Sequence, residues 1–478
     1  MTRRDFPRIH FYDQDFVDIY DKTQIWVSDC LCEAADSDEK LFVSSEGTID
    51  QNTAIFSSFF LVYSNKIYPA STGLDYLYSK QEANGAIRSA YNAADGSRIV
   101  DSANPESVGM PLFAWAEFNH YHKTANKKRI REVVPIIDKY NEWLDATFKR
   151  ANGLYETPVC ATGWWNSPRE KAAYPLDFNA AMAINAVYMS ALSDLLNDKD
   201  MSIRYKQRYF ALKTRINGLM WDADSGFYYD TDKREKKIMV KTIAGYWPLL
   251  AEIPNIDKAD RLITKLSDPA FFGAEHPFPS VALNEKAFRE DGHGYSGSVF
   301  PHLTFMVLKG LERYQKYDLA RECAIRHLYF VLDSMSPDGD HHKGSLWEAY
   351  LPTREGPALP PPNLHSGDSP QAAFPRKQCL AYTALSTISL MIENVVGLFI
   401  SLPRKTVDWI VPNMEIMGIE NLSLKKNLIT ILSNKSTRGW EIHMESEKLY
   451  YFTINVIDRK KKTLPIPSGK CSMLVDKI

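Results

Sequence analysis

The sequence predicts a mainly α-helical fold, an (α/α)6 barrel of the six-hairpin type followed by a small C-terminal antiparallel β domain. Three observations carry this expectation. Helical periodicity recurs about twelve times before residue 400. The links between those helices alternate long and short without exception. After Pro403 the pattern turns to short runs of alternating apolar and polar residues.

Apolar positions spaced by three and four residues mark helices at roughly 10–34, 52–65, 71–83, 107–123, 126–149, 178–196, 200–220, 240–251, 256–268, 297–315, 318–333 and 377–401. Short links fall at 65–69, 124–125, 197–199, 254–255 and 316–317. The connections between them are long: 35–51, 81–106, 150–177, 221–239, 267–296 and 333–378. In an antiparallel ring of helical hairpins, alternate connections emerge at the same end, so every long loop crowds onto one face. Long loops in a compact domain are usually functional. An irregular helical array is the competing arrangement. The run 379–402 is apolar, but Glu393 and Asn394 interrupt it, which favours a buried core helix over a membrane span. Beyond it, "DWIVPNMEIMGI", "NLITILSN", "GWEIHMES", "KLYYFTINVI" and "CSMLVD" read as strands of a small sheet or sandwich. The expected division is 1–402 for the barrel and 403–478 for a β domain without a cluster of acids or histidines, hence structural.

Totals exclude several classes of function. The 478 residues are 45% hydrophobic and 24% charged, ordinary for a globular chain with a sizeable core, and the net charge of −2 gives no electrostatic case for nucleic acid or an anionic membrane. Aromatic residues make up 12%, with 10 Trp and 25 Tyr, which fits either a large core or an aromatic-lined cleft. The six cysteines show neither a disulfide framework nor zinc spacing; Cys30 and Cys32, read within a helix, would face different ways as free thiols. The start, "MTRRDFPRIHFYDQ", has no apolar signal core, which fits a cytoplasmic chain or one whose leader was removed. No cofactor or metal is expected, and oligomeric state is not legible.

The chemistry gathers in the long loops. The first carries "EGTIDQNTAIF", with Asp50, Gln51 and Asn52; the third carries "ATGWWNSPREKAAYPLDFN". The fifth carries "REDGHGYSGSVFP", with Asp291, His293 and Tyr295; the sixth carries "DGDHHKGSLWEAYLP", with Glu348 between Trp347 and Tyr350. Each has a plainer reading beside the functional one. Trp164 and Trp165 either stack on sugars or plug the structure; their polar flank of Asn166 and Arg169 favours stacking. Asp177 is either a catalytic carboxylate or the N-cap of the following helix. Glu348 is either poised for proton transfer by its aromatic neighbours or a salt-bridged loop residue. Adjacent His341 and His342 lack a third ligand at useful spacing and read as solvated. No Gly-rich phosphate loop or nucleophile elbow is present.

These motifs together resemble the six-hairpin glycosidases of clan G: glycoside hydrolase family 63 with its mannosylglycerate hydrolase-like members, and the trehalases. The resemblance covers most of 40–402. It rests on Gly163 to Arg169, "YPLDFNAAMAINAVY", "MWDADSGFYYD", "GYWPLLA", "GHGYSGSVFP", "LWEAYLP", "LMIENVVGLF" and "NPESVGMPLFAWAEF". It implies inverting glycoside hydrolysis, in which one carboxylic acid protonates the leaving oxygen and a carboxylate across the cleft activates water. The glutamate of "WEAYLP" matches the family's base, which is Glu348. The family's acid is an aspartate in a Gly-Trp-Asp pattern, and Trp165 stands at that position here.

Two further departures accompany the missing acid. A Trp-Asp pair of the first loop reads Asn52-Thr53, and a Tyr-Trp-Arg-Gly reads Gly294-Tyr295-Ser296-Gly297, which removes an arginine. The expected function is therefore an inverting glycoside hydrolase acting on an oligosaccharide or small glycoside. Asp177 is the first substitute acid, followed by Asp50 and Asp291. Trp164, Trp165, Asn166, Arg169, Tyr295, Trp347 and Asn52 are expected to bind a neutral or weakly charged carbohydrate. The alternative is a catalytically impaired glycan-binding protein on the same scaffold, favoured by Trp165 itself. A lyase or epimerase using His293 with Tyr295 is a third option.

Overall fold

The computed structural model describes residues 6–43, 47–335, 344–362, 374–377, 380–411, 416–424, 427–436, 439–456 and 462–475. Twelve helices occupy the first four-fifths of the chain: α1 (Gln14–Trp26), α2 (Gln51–Leu61), α3 (Thr72–Ser79), α4 (Phe113–Thr124), α5 (Lys127–Phe148), α6 (Leu176–Leu196), α7 (Lys199–Arg215), α8 (Trp247–Leu250), α9 (Ile256–Ser267), α10 (Pro301–Arg313), α11 (Tyr317–Asp333) and α12 (Leu380–Ala384). A 3₁₀ turn over Ile243–Tyr246 leads into α8, and α12 continues as π-helical turns through Leu385–Val395. Side-chain caps set several starts: Asp50, Asn126, Asp198 and Asn255 each accept a backbone N–H of the first turn. Asn197 closes α6 in the left-handed conformation.

Burial separates two sets of helices. In α6, 16 of 21 residues are buried, against three of 17 in the neighbouring α7. A helix buried all round belongs to an interior. The buried set is contiguous: α2 packs on α4, α4 on α6, α6 on α8, α8 on α10, α10 on the π-helical turns, and α12 with those turns returns to α2. Among the others, α3, α5, α7 and α11 each pack on a member of this closed cycle. Along the chain, each long connection leads into the N-terminus of a buried helix, and each short one leaves from its C-terminus.

At the C-terminal ends of these helices the core holds charge. Glu393 accepts from Lys309 at 2.6 Å, Lys123 at 3.3 Å and the Tyr63 hydroxyl. Burial alone would raise the Glu393 carboxyl, but the two lysines hold it at about 2. Lys309 also reaches Glu312 at 2.7 Å.

The first helix is shorter than the expected 10–34. Strand β1 (Arg8–His10) precedes it, and the Asp13 side chain caps it at 3.1 Å from the Asp15 N–H. After Trp26 a 3₁₀ turn leads into β2 (Leu31–Cys32), which pairs with β3 (Leu41–Phe42). Cys30 and Cys32 thus lie in a turn and a strand, outside any α-helix. They are free, as are Cys160, Cys323 and Cys471; Cys379 lies outside the described residues. Two more short pairs, β4 (Thr48–Asp50) with β5 (Ala90–Asn92) and β6 (Trp221–Asp222) with β7 (Phe227–Tyr228), brace the long connections.

The remaining strands are β8 (Leu398–Ser401), β9 (Thr406–Val411), β10 (Met417–Leu424), β11 (Asn427–Ser436), β12 (Gly439–Ser446), β13 (Tyr450–Val456), β14 (Lys462–Ile466) and β15 (Gly469–Val475). They form a five-stranded sheet in the order β1-β10-β11-β12-β15 and a four-stranded sheet in the order β14-β13-β9-β8. Alternation sets which face is inward: Ile429, Ile431 and Ser433 of β11 are buried. All ladders are antiparallel except β9 with β13, which run parallel because a crossover through three strands separates them. The expected small antiparallel domain is found apart from that one pair, and the first strand of the chain completes the five-stranded sheet. Among the described residues no helix is long and apolar enough to cross a membrane.

A chain of buried imidazoles ties the connection before α10 to the helices. His276 Nδ1 lies 3.2 Å from the Leu351 carbonyl, its Nε2 lies 2.7 Å from His327 Nδ1, and His327 Nε2 lies 2.7 Å from Ser386 Oγ. Burial lowers both imidazoles, His327 to about 3, so both are neutral at pH 7. One proton order satisfies every contact: Nδ1–H on each ring donates forward to the Leu351 carbonyl or to His276, and the Ser386 hydroxyl donates to His327. The unfolded chain takes up protons at these groups below about pH 6.5 while the folded chain refuses them. Unfolding free energy should therefore fall as pH drops below about 6.5, by up to about 1.4 kcal/mol per unit per histidine. Urea unfolding at pH values from about 7 down to about 5 checks this. The slope should be shallower in a His276→Gln/His327→Gln variant, whatever its absolute stability.

Candidate active site

The third long connection is built on one arginine. Arg169 is 1% exposed and bonds two carboxylates. Its Nη1 and Nη2 donate to Asp177 at 2.8 and 2.7 Å, and its Nε and Nη2 donate to Asp230 at 2.8 Å each. Asp230 also accepts the Leu176 N–H at 2.7 Å, which fixes the start of α6. Burial opposes the guanidinium charge, but the two carboxylates raise the Arg169 pKa above its ordinary value.

This arrangement corrects three sequence-level expectations. Asp177 is fully buried with both oxygens engaged by Arg169, so it has no open face from which to protonate a substrate. Nor is it the N-cap of α6, a position taken by Pro175. Arg169 itself gives four of its five N–H donors to these carboxylates and is sealed from solvent, so it does not face a sugar. Trp164 is 2% exposed, with Arg169 4.6 Å from its ring centre and the Tyr295 ring 4.6 Å away, so no face is open for stacking. The plug reading of Trp164 fits this geometry.

The next residues bring loops together. Trp165 is only partly buried and meets Tyr295 and Phe374 edge-on, at 6.2 and 4.9 Å between ring centres. Gly294 (φ 68°) lets the fifth connection pass this indole, since a Cβ there would lie 2.8 Å from the ring. Exposed Asn166 donates from Nδ2 to the His293 carbonyl, and its own carbonyl accepts from Ser296 Oγ at 2.7 Å. Tyr295 is buried, stacked on Phe300 at 4.0 Å and 9°. On the other side, Gly163 (φ 87°) lies against Asn52 of the first connection, 3.2 Å from its Nδ2 to a built Cβ. The third connection thus touches the start of α2 at Asn52 through Gly163, and the fifth connection through Trp165 and Asn166.

Glu348 belongs to the sixth connection. Val299 and Tyr350 exchange two backbone hydrogen bonds of 2.9 Å, joining this segment to the fifth. The Glu348 carboxylate is buried, but its neighbour is charged: Arg376 donates from Nη2 to Oε1 at 2.8 Å and from Nε to Oε2 at 2.9 Å. The expected aromatic surround thus gives way to a bidentate ion pair. The Glu348 N–H in turn donates to the Arg376 carbonyl at 3.0 Å, so backbone and side chain match together. Trp347 is partly buried under the Lys377 ammonium, 5.3 Å from its ring centre.

Among the other carboxylates, Asp50 caps α2, accepting from Thr53 N at 2.8 Å and Thr53 Oγ at 2.5 Å. Burial pushes its carboxyl above the usual value, against the pull of Thr53 and of the Arg376 charge, so it lies within electrostatic reach of the partner of Glu348. Asp291 pairs with His293 at 3.1 Å and Arg289 at 3.4 Å. His293 is thus committed to Asp291, and Tyr295 to an aromatic stack, which gives a His/Tyr lyase pair no support. His341 and His342 lie outside the described residues.

Sequence reasoning missed Arg376 and Asp230. Asp230 ends the quoted "GFYYD", so its motif was visible while its partner, 61 positions away, was not. Arg376 had no comparable signal.

A family profile described as "Mannosylglycerate hydrolase MGH1-like glycoside hydrolase domain" matches residues 69–358, and "Trehalase, C-terminal domain" matches 397–478. The chain is 50% identical to an uncharacterized protein of Borreliella burgdorferi over all of both chains. Among solved structures, a family 63 mannosylglycerate hydrolase of Thermus thermophilus, bound to glucose, aligns with TM-score 0.59 and 16% identity over 78% of this chain and 99% of that one. A family 78 rhamnosidase of a Bacillus species aligns with TM-score 0.69 and 14% identity over 95% of this chain and 42% of that one. At such identity the likeness is one of fold.

The Arg169 cluster makes a direct prediction about stability. Arg169→Met leaves two buried carboxylates facing each other without a cation and should cost about 3–5 kcal/mol. Asp177→Asn keeps the shape and one acceptor and should cost less. Denaturant midpoints of the two variants check the order; a reversed order would contradict the fork as the organising element.

Proposed function

The chain belongs to the mannosylglycerate hydrolase MGH1-like glycoside hydrolases, and on that premise we propose that it hydrolyses an oligosaccharide or small glycoside with inversion, using Glu348 as general base and Asp50 as general acid. The observation that carries the proposal is the bidentate Glu348–Arg376 pair, with Asp50 in electrostatic reach of the same guanidinium. The closed cycle of buried helices supports an (α/α)6 barrel with this site at its loop-bearing end. The catalytic unit proposed is 1–402. The β unit is 403–478, to which Arg8–His10 and Leu398–Ser401 lend strands.

In the proposed reaction, Asp50 gives its proton to the glycosidic oxygen as the bond to the anomeric carbon breaks. Glu348 takes a proton from the water that attacks the opposite face. Such pairs stand about 6.5–9.5 Å apart to admit that water. Burial shifts the Asp50 carboxyl upward, the direction that favours the protonated form a general acid uses. Arg376 orients Glu348 without exhausting it: two carboxylate oxygens offer about four acceptor sites, and Arg376 takes three, two through its guanidinium and one through its backbone N–H at 3.3 Å. Trp165, Asn166, Asn52 and Trp347 are the proposed sugar contacts; Tyr295 and Trp164 position them. The absence of an arginine at Ser296 supports a neutral or weakly charged sugar. Membership of a hydrolase family does not favour the glycan-binding alternative.

Product analysis by NMR on a panel of aryl and natural glycosides tests the stereochemistry; a product of retained anomeric configuration would overturn the mechanism. Glu348→Gln should lower turnover by about 10²–10⁴-fold on glycosides and glycosyl fluorides alike. Asp50→Asn keeps the helix cap, since Asn caps as well as Asp. It should lower turnover of ordinary glycosides by a similar factor but spare the fluoride, whose leaving group needs little protonation. Unchanged glycoside turnover in Asp50→Asn would remove Asp50 as the acid. Trp165→Asp, restoring the family residue, should raise activity on ordinary glycosides.

A further inference from the structure

A cavity lies at the end of the helices away from the long connections, where the turn after α2 and the turn between α4 and α5 meet β10. Its volume is about 600 Å³, within the ~300–1,000 Å³ of small-molecule sites. The lining is unusual in sign. It includes Lys66, His120, Lys123, Asn126, Lys127 and Arg129, and among the described residues that line it there is no carboxylate and no aromatic ring apart from the imidazole. A neutral sugar is commonly met by carboxylates and ring faces. Lysine and arginine offer only donors, so this cavity selects for a ligand rich in acceptors and negative charge.

Part of the charge is fixed in place. Arg129 is held by Glu117 at 2.7 and 2.8 Å and by Asp75 at 2.7 Å, and Lys123 by Glu393 at 3.3 Å. These carboxylates offset the two buried cations while fixing their positions. Lys66 and Lys127 are different: neither has an ion-pair partner among the described residues, so their charge is uncompensated. Burial and the Arg129 charge lower His120 to about 4, leaving it neutral. The ring is 5% exposed and lies at 3.5 Å from Thr124 Oγ through Nδ1, while its Nε2 has no protein partner among the described residues. The His120 side chain is mostly enclosed but lines the cavity, so its unpartnered Nε2 is open to a ligand there. The N-terminus of the 22-residue α5 opens on the same space, and its first turn carries Lys127, Lys128 and Arg129 with no acid. Cations at the positive end of a helix are locally unfavourable and become favourable once an anion sits there.

We propose that this cavity binds the phosphoryl group of a small phosphorylated polyol such as a hexose phosphate, remote from the catalytic loops. Lys66, Lys127 and the start of α5 meet the phosphoryl oxygens. The Thr124 hydroxyl donates to the His120 carbonyl, which leaves the ring proton on Nδ1 and His120 Nε2 to accept from a hydroxyl of the polyol. The hydroxyls of Ser71, Thr124 and Ser423, which also line the space, meet the polyol. Bare phosphate would leave most of the volume unfilled.

Calorimetric titration of the full chain with a hexose 6-phosphate, inorganic phosphate and the unphosphorylated hexose tests this. The hexose phosphate should bind more tightly than inorganic phosphate. A Lys66→Gln/Lys127→Gln variant should lose about tenfold or more of that affinity while any response to the unphosphorylated hexose stays the same. No binding of the hexose phosphate to the wild-type chain, equal binding of inorganic phosphate, or undiminished binding by the variant would each overturn the proposal. None of these outcomes bears on Glu348, so the two readings stand or fall separately.

Discussion

The buried Arg169 fork is the interaction on which the site depends. It joins the third connection, the first turn of α6 and the segment after β7 through one guanidinium and two carboxylates. Trp164 packs on that guanidinium, Tyr295 on Trp164 and Phe300 on Tyr295, so a row of rings transmits the position of one charge to the fifth connection. From there Val299 and Tyr350 pass it to the segment that bears Glu348. Buried ion pairs are a weak source of net stability, because desolvation cancels much of the attraction. What they give is geometry: few arrangements satisfy all three charges at once.

The two ends of the helical body handle charge in opposite ways. At the C-terminal ends of the buried helices, Glu393 sits between two lysines and a tyrosine, with Glu312 sharing one of the lysines. The N-terminal ends carry positive partial charge from aligned peptide dipoles, and there the structure places Asp50, Asp177 and the loops that hold Glu348. A site of carboxylates is thus supported by helix ends that stabilise anions. Arg169 and Arg376 each hold part of this set: Arg169 pairs with Asp177, and Arg376 pairs with the buried Glu348.

Much of the fold was legible because periodicity and connection length are local properties. Each of the twelve expected segments holds helical turns, but 240–251 shrinks to a 3₁₀ turn and a four-residue helix, and the last four residues of 377–401 form strand β8; the alternation of long and short links survives. What failed involved partners distant in sequence. Arg169 read as a sugar ligand because its neighbours in the chain are polar, yet its neighbours in space are Asp177 and Asp230. Trp164 and Trp165 are adjacent and chemically identical, but the fork covers one and leaves the other half open. Glu348 looked aromatic-flanked because Trp347 and Tyr350 are near in sequence, whereas Arg376 is 28 positions away. The first helix was over-extended because a strand that pairs with a segment near the other end of the chain leaves no helical or hairpin signature.

That strand has a consequence for how the chain is made. Arg8–His10 pairs with Gly418, Ile419 and Glu420, so it leaves the ribosome roughly 400 residues before its partner. At about 5–20 residues per second it stays unpaired for on the order of a minute. Over that interval its backbone donors and acceptors are an open edge, available to any other nascent strand. Arg8, which meets Glu420 in the finished sheet, puts a positive charge on that edge, and a charge on an edge strand is one of the features that blunt pairing with the wrong partner.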